Sequence, residues 1–243
     1  MHLLLACAPA PLPPGEGPTV SFLSYNVNFE RFDPATVDAI AAADADVVLL
    51  QETTATWQAA LRARLSDRYP TMTFHSHDPD GGMGLLARRP ATVRARMDSP
   101  VGKFPATCLD VATALGTLRV LHVHLHPPLD EGGFLTGYFT TGDDRAAEVA
   151  AYLACAPDLA VGDFNEAEGD AVDRIEAAGL RDAASAFPPP TRTWSYASAY
   201  GELEGRPDHV FFGPTLVPVE VAVLEAGASD HRPLRVEFKR RAP

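Results

Sequence analysis

Lysine is almost missing from these 243 residues. Lys103 and Lys239 are the only two, against 32 acidic side chains, for a formal charge of -12 and a pI near 5.0. Non-specific affinity for nucleic acid comes mainly from Lys and Arg neutralising phosphates, so this balance argues against a broad nucleic-acid-binding surface. A nuclease stays open, because carboxylates gathered at a metal site inflate the acidic count, and a bound divalent cation reverses the local field that a phosphate meets. The sequence also lacks an apolar run long enough to span a membrane. It lacks any internal period that would mark a repeat array. With 46% hydrophobic residues, it suits one large domain with a real core.

Cysteine is equally scarce. Cys7, Cys108 and Cys155 show no CxxC spacing and cannot by themselves frame a disulfide scaffold or a zinc site. Cys108 in Ala106–Val111, and Cys155 at the end of an Ala-rich stretch, read as buried apolar thiols. Cys7 is different: it follows Leu3-Leu4-Leu5-Ala6 and precedes a Pro-rich stretch, which resembles a bacterial lipobox and tether. The apolar run is short for a signal segment and no Lys or Arg precedes it. Two readings of residues 1–18 therefore stay open: a truncated lipoprotein signal, implying the bacterial cell envelope, or a disordered leader of a cytoplasmic protein.

From residue 19 to 240 the pattern is that of a domain. Val20–Val27 reads as a strand, and Pro34 after Asp33 opens a helix running toward Asp44. A buried strand Asp46–Leu50 delivers Gln51-Glu52, and Thr54–Arg68 fits an amphipathic helix with Trp57, Ala60, Leu61 and Leu65 at helical spacing. Short strands follow at Thr71–His75, Met83–Arg88, Ala91–Met97, Ala106–Ala112 and Gly116–Leu125. A long loop, His126–Gly142, carries Phe134, Tyr138 and Phe139; loops of this length are often functional. Then come a helix Asp143–Ala154, a strand Asp158–Gly162, a helix Glu168–Ala178 closed by Gly179, and strands near Thr193–Tyr196, Asp208–Phe212, Val217–Leu224 and Pro233–Phe238. The fold class is α+β: two mixed sheets packed face to face with helices outside use all these pieces.

Polar residues at the ends of the apolar strands are the candidates for chemistry. Glu52 emerges at a sheet edge, where a carboxylate suits a hard divalent cation, although before Thr53-Thr54 it also serves as a helix N-terminal acid. Asp163 and Asn165 flank Phe164 in an extended Gly-Asp-Phe-Asn segment, a pair able to position a water and hold a phosphate oxygen; a simple turn explains the same residues. Asp230 and His231 are adjacent and point differently, so His231 needs another partner, and Asp208 in Arg206-Pro207-Asp208-His209 can fix its tautomer. A cap or surface turn also explains Ser229-Asp230-His231. His122, His124 and His126 alternate along one strand, yet the neighbouring groups are oxygens, which suit Mg²⁺ or Mn²⁺ better than Zn²⁺. His122 and His126 read as structural or rim residues.

Taken in order, Ser-Tyr-Asn-Val-Asn at 24–28, Gln51-Glu52, His124-Leu125, Gly-Asp-Phe-Asn at 162–165, Arg-Pro-Asp-His at 206–209 and Ser-Asp-His at 229–231 resemble the endonuclease/exonuclease/phosphatase superfamily. Its members include deoxyribonuclease I, abasic-site endonucleases, sphingomyelinases and inositol-phosphate 5-phosphatases. The resemblance runs from about Val20 to Phe238 and implies a deoxyribonuclease I-like α/β/β/α sandwich of four layers. It implies Asn26, Glu52 and Asp230 as metal ligands for one or two Mg²⁺ or Mn²⁺ ions, with Ca²⁺ a further candidate. It implies His124, Asp163, Asn165, Asp208 and His231 as the catalytic set, with Asn26 and Asn165 also on the substrate phosphate. Arg145, at a helix start, can reach a phosphate or sit solvated. Asn28 departs from the pattern, since abasic-site endonucleases carry Asp there. The implied activity is hydrolysis of a phosphate ester by in-line water attack, on a nucleic acid, small molecule or lipid headgroup, by a monomer. The rival is a non-catalytic binding module on the same fold.

Overall fold

A computed structural model describes residues 14–77, 81–129, 132–133, 136–137, 140–187, 192–198 and 201–242. Within them, apolar alternation sorts the chain into layers. One sheet contains β1 (Gly15–Asn26), β2 (Val47–Thr53), β3 (Thr71–His75), β4 (Gly82–Ala87), β13 (Leu216–Val223) and β14 (Leu234–Arg241), ordered β13-β14-β1-β2-β4-β3. The other contains β5 (Ala91–Met97), β6 (Ala106–Thr113), β7 (Gly116–His124), β8 (Leu159–Asp163), β9 (Arg181–Asp182) and β12 (Asp208–Phe212), ordered β5-β6-β7-β8-β12-β9. Both are mixed: β1 runs parallel to β2 and β7 parallel to β8, and their other neighbours are antiparallel. A separate ribbon pairs β10 (Trp194–Ser198) with β11 (Gly201–Gly205).

Successive side chains on a strand point to opposite faces, and β2 uses both. Val47 and Leu49 enter the core between the sheets with Phe22, Val120, Val161 and Phe238. Val48 and Leu50 face outward, under Ile40 of α1 (Pro34–Ala43) and Trp57 and Leu61 of α2 (Ala55–Leu65). On the opposite side, Leu121, Val123 and Ala160 lie beneath Val149 and Tyr152 of α3 (Gly142–Tyr152) and Ile175 of α4 (Asp170–Ala177). Four layers result, and fully burying each Leu- or Phe-sized side chain among them contributes about 1.5–3 kcal/mol. The Asp33 carboxylate caps α1 on the Ala35 amide, with Pro34 in the first turn as expected.

Three expectations change. Strand β1 starts at Gly15, because Gly15 and Glu16 pair with Arg241 and Arg240, so the ordered sheet reaches ahead of residue 19. Cys108 and Cys155 form a disulfide, with Cα atoms 5.8 Å apart, and are not free thiols. Cys108 lies on the outer face of β6, and α3 crosses that face to bring in a residue 47 positions away, which spacing does not reveal. The third change is the pair β9 and β11, two strands outside the expected set. Cys7, Phe134, Tyr138 and Phe139 lie outside the described residues. Replacing Cys108 and Cys155 together with alanine is expected to cost about 2–4 kcal/mol in denaturant unfolding, since a long loop in the unfolded chain is no longer closed. Equal midpoints for the two proteins would show that the bridge contributes nothing.

Candidate active site

Sheet register assembles the first part of the site. His124 pairs with Asp163 across β7 and β8, and Asp163 pairs with Asp208 across β8 and β12, so three polar residues stand side by side at one level of one sheet. Close approach of β7 depends on Gly162: a Cβ there would lie 1.9 Å from the Val123 carbonyl oxygen. Asp163 is fully buried, and its Oδ1 accepts from the Asn165 amide at 2.8 Å.

The other sheet contributes Glu52 through a bulge. Between the Leu50–Gly84 and Thr53–Gly82 pairs, two residues of β2 oppose only Met83, and Glu52 adopts φ 63°. A left-handed backbone is uncommon for glutamate, and it turns this carboxylate away from where strand alternation would send it. Gly81 backs onto the bulge; a Cβ there would lie 2.7 Å from the Glu52 carbonyl carbon.

Asn26 joins the sheets. Its Nδ2 donates to Glu52 Oε1 at 2.8 Å and to Asp163 Oδ2 at 3.1 Å, a neutral wedge between two carboxylates. Only the amide nitrogen can face two acceptors, so its orientation is determined. Burial pushes Glu52 up to about 7, against the opposing donors Asn26 and the Phe29 amide. Asp163 is raised as well, by burial first, with the charge of His231 opposing.

His231 is held by its Nδ1 on Asp208 Oδ2 at 2.9 Å, and its Nε2 lies 3.6 Å from Asp163 Oδ2. Burial alone would lower this imidazole, but Asp208 and Asp163 outweigh it and carry the group up to about 10. Ligand atoms of Asp163, Asp208 and His231 all lie within 4.8 Å of one another. Asp230 points differently from His231, as their adjacency requires: Oδ1 accepts from Asn28 Nδ2 at 2.8 Å and Oδ2 from Trp194 Nε1 at 3.0 Å. Burial would raise Asp230, yet the His231 charge with these two donors leaves it below the usual carboxylate range.

The Endonuclease/Exonuclease/phosphatase family model matches residues 23–231, a span that contains every group just described. The chain belongs to that family. Comparison with curated proteins finds no match in sequence. Among solved structures it is similar to D. rerio TDP2 complexed with single strand DNA product, at TM-score 0.70 and 19% identity over 91% of this chain and 99% of that one. It is similar to an endonuclease/exonuclease/phosphatase from Beutenbergia cavernae DSM 12333, at TM-score 0.67 and 18% identity over 91% and 72% of the two chains. A third likeness is to ANGEL2, a 2',3'-cyclic phosphatase, at TM-score 0.67 and 15% identity over 92% and 96%. At such identities these likenesses establish the shared fold, the sandwich expected from the strand pattern.

Not every residue singled out in the family's motifs joins the cluster. His124 does: its ring stacks on Phe104 at 4.0 Å, with Nε2 3.8 Å from Asp163 Oδ2 and 3.9 Å from Glu52 Oε1. Asn165, at φ 53°, anchors its side chain on the Leu125 carbonyl at 2.9 Å, so the Gly-Asp-Phe-Asn segment ends in a left-handed turn and not in continued extension. Arg145 is not solvated, and its guanidinium is taken up by an internal ion pair. Only 3% exposed, it bonds Glu166 Oε2 at 2.9 Å and Thr141 Oγ1 at 2.7 Å. His122 sits beside Gln51, Nε2 to Nε2 at 2.9 Å, and burial holds it down to about 3, which makes it a neutral acceptor. His126 turns its Nδ1 to the Pro127 carbonyl, so the three alternating histidines form no common face for zinc.

Three supporting residues escaped the sequence reading. Glu166, directly after the Gly-Asp-Phe-Asn segment, also accepts from the Ala171 and Val172 amides at the start of α4. His209 bridges the Glu166 carbonyl and Asp182 Oδ2; burial would raise Asp182, but His209 and Arg206 hold it at about 2. Trp194 reaches Asp230 from the ribbon. For Glu166 the signal was adjacency to a recognised motif, and His209 stands inside one without having been given a role; for Trp194 there was none.

Proposed function

We propose that this protein is a divalent-metal-dependent phosphoesterase that opens a phosphate ester by in-line attack of water. One observation carries the reading: Glu52, Asp163, Asp208 and His231 meet in a buried cluster that Asn26 bridges from sheet to sheet. Family membership supports phosphoester hydrolysis as the reaction class.

The donor set fits a hard cation. Among the described residues, the ion pairs of Glu52, Asp163 and Asp208 are all with histidine, so no Lys or Arg balances these carboxylates. Burial that drives Glu52 to about 7 marks a charge in want of compensation. Glu52 and Asp230 would hold Mg²⁺ or Mn²⁺, with Ca²⁺ an alternative, and Asn26 Oδ1 would join them through the lone pair left beside its bond from the Asn28 amide. When bound, such an ion offsets charge on the phosphate's non-bridging oxygens.

The chain's own groups supply the remaining chemistry. Asp163, whose Oδ2 lies 3.6 Å from His231 Nε2, is the proton acceptor for the attacking water. His231 is doubly protonated there, so Nε2 donates to a phosphate oxygen while Asp208 holds Nδ1. Asn165 Nδ2 keeps a second N–H beyond the Leu125 bond for the same phosphate. His124, flat against Phe104, serves the leaving-group side.

For the substrate, the described surface favours a short or small ester over a long duplex. Among its arginines, Arg64, Arg88, Arg94 and Arg235 are paired with Asp38, Asp44, Asp110 and Glu220, which reduces the footprint for phosphates along a helix. The buried disulfide supports an oxidising compartment, and with it the cell-envelope reading over the cytoplasmic one.

The test is a plasmid-nicking assay beside a panel of phosphomono- and phosphodiesters, with Mg²⁺, Mn²⁺ or EDTA. Metal-dependent turnover of at least one substrate is expected, and loss of it in EDTA. A folded, metal-binding protein with no turnover of any of them would favour the binding module. Stability gives a second readout. Glu52 is raised from 4.5 to about 7, so the metal-free fold holds the extra proton and loses stability as pH rises between those values. Mn²⁺, which needs the carboxylate ionised, should therefore raise the melting temperature more at pH 8 than at pH 5, and Glu52→Gln should remove most of that difference.

A further inference from the structure

Asn28 is the residue that departs from the family pattern, and its surroundings explain what it does in place of ligating. It follows β1 in a left-handed conformation, φ 62°, which asparagine tolerates. Three bonds lock it there. Its amide N–H donates to Asn26 Oδ1 at 3.1 Å, its backbone carbonyl accepts from Trp57 Nε1 at 3.2 Å, and its Oδ1 accepts from the Glu30 amide at 3.0 Å. With Oδ1 so committed, Nδ2 has to face Asp230 Oδ1, at 2.8 Å. Flipping the amide would set oxygen against carboxylate and NH₂ against N–H, so the orientation is determined twice over.

The other oxygen of Asp230 meets Trp194 Nε1 at 3.0 Å. Two neutral donors from separate parts of the chain, one beyond β1 and one in the ribbon, therefore grip opposite oxygens of a single carboxylate. Oδ2 keeps a further lone pair for a cation, while Oδ1 also has the Ser229 hydroxyl at 3.4 Å. Aspartate at position 28 would place an acceptor against an acceptor and break this grip.

We propose that Asn28 is a positioning residue for the metal centre: with Trp194 it orients Asp230 toward the cation and does not touch the ion itself. The inference rests on the reading of Asp230 as a ligand given above. Outer hydrogen-bond partners of metal ligands typically matter about 10- to 100-fold in metal affinity.

Calorimetric titration of the full-length protein with Mn²⁺ tests it. Asn28→Gly keeps the left-handed backbone without strain and removes only the amide. Binding roughly 10- to 100-fold weaker is expected, and Trp194→Phe should weaken it in the same direction. In an Asp230→Ala background, Asn28→Gly should add nothing further, because its effect passes through that carboxylate. Wild-type affinity in Asn28→Gly overturns the proposal, as does a loss that adds in full to Asp230→Ala, the sign of a direct ligand. If Asn28→Gly does not fold, Trp194→Phe alone and combined with Asp230→Ala reads the same coupling. A wild-type protein that takes up no Mn²⁺ sinks the metal reading as a whole, an outcome distinct from the other two.

Discussion

His231→Ala and Asp163→Ala should each lower kcat by roughly 10²- to 10⁴-fold, the range over which positioned proton-transfer groups act. In the proposed reaction the two residues do different things across one 3.6 Å contact: the carboxylate takes a proton and the imidazolium presents one. Asp208→Asn should cost less than His231→Ala, because it leaves the ring in place and removes only the partner that keeps Nδ1 protonated. Groups that act as a unit are not additive, so the Asp208→Asn, His231→Ala double variant should fall close to His231→Ala alone. Steady-state kinetics at saturating metal, on variants checked for folding by circular dichroism, gives the answer. Unchanged kcat in either single variant would refute the assignment of the site.

A larger effect on stability is expected at Arg145. The guanidinium and the Glu166 carboxylate are both under 10% exposed, 2.9 Å apart, and ringed by further bonds to Thr141, Ala171 and Val172. Removing one partner of such a pair leaves a buried charge without compensation. Arg145→Met should therefore lose about 3–5 kcal/mol of folding free energy. Glu166→Gln should lose less, since its amide oxygen still accepts from α4. The double variant should recover part of the loss seen in Arg145→Met, because no lone charge remains. Chemical denaturation of the three variants measures these differences. Were Arg145 instead a phosphate contact, its variant would keep wild-type stability and show only a raised KM.

These two sites differ in how far the sequence reveals them. Asp163 closes β8, Asp208 opens β12 and His231 lies just ahead of β14, strands whose apolar runs are plain in the chain, so placing these residues near a sheet end needs only strand periodicity. Arg145 sits at a helix start, where solvent exposure and burial read identically until one knows what covers it. Glu166 supplies the cover, 21 residues away, through a turn that Asn165 makes left-handed. The Cys108–Cys155 bridge escaped for the same reason: two separately apolar segments became neighbours only when α3 lay across β6.

By itself, the sequence determined the local pieces. Alternating apolar residues set the strands, Asp33-Pro34 and Thr54 set helix starts, and the ordered motifs set the family and the roster of polar groups. Only the tertiary structure decided which of those groups meet. Pairing β7 with β8 and β8 with β12 in one register aligned His124, Asp163 and Asp208, and a single extra residue in β2 re-aimed Glu52. Periodicity and capping depend on residues within a few positions of each other, so they can be read along the chain. Register, bulges and buried ion pairs depend on contacts between distant segments, where a shift of one residue turns a side chain to the opposite face.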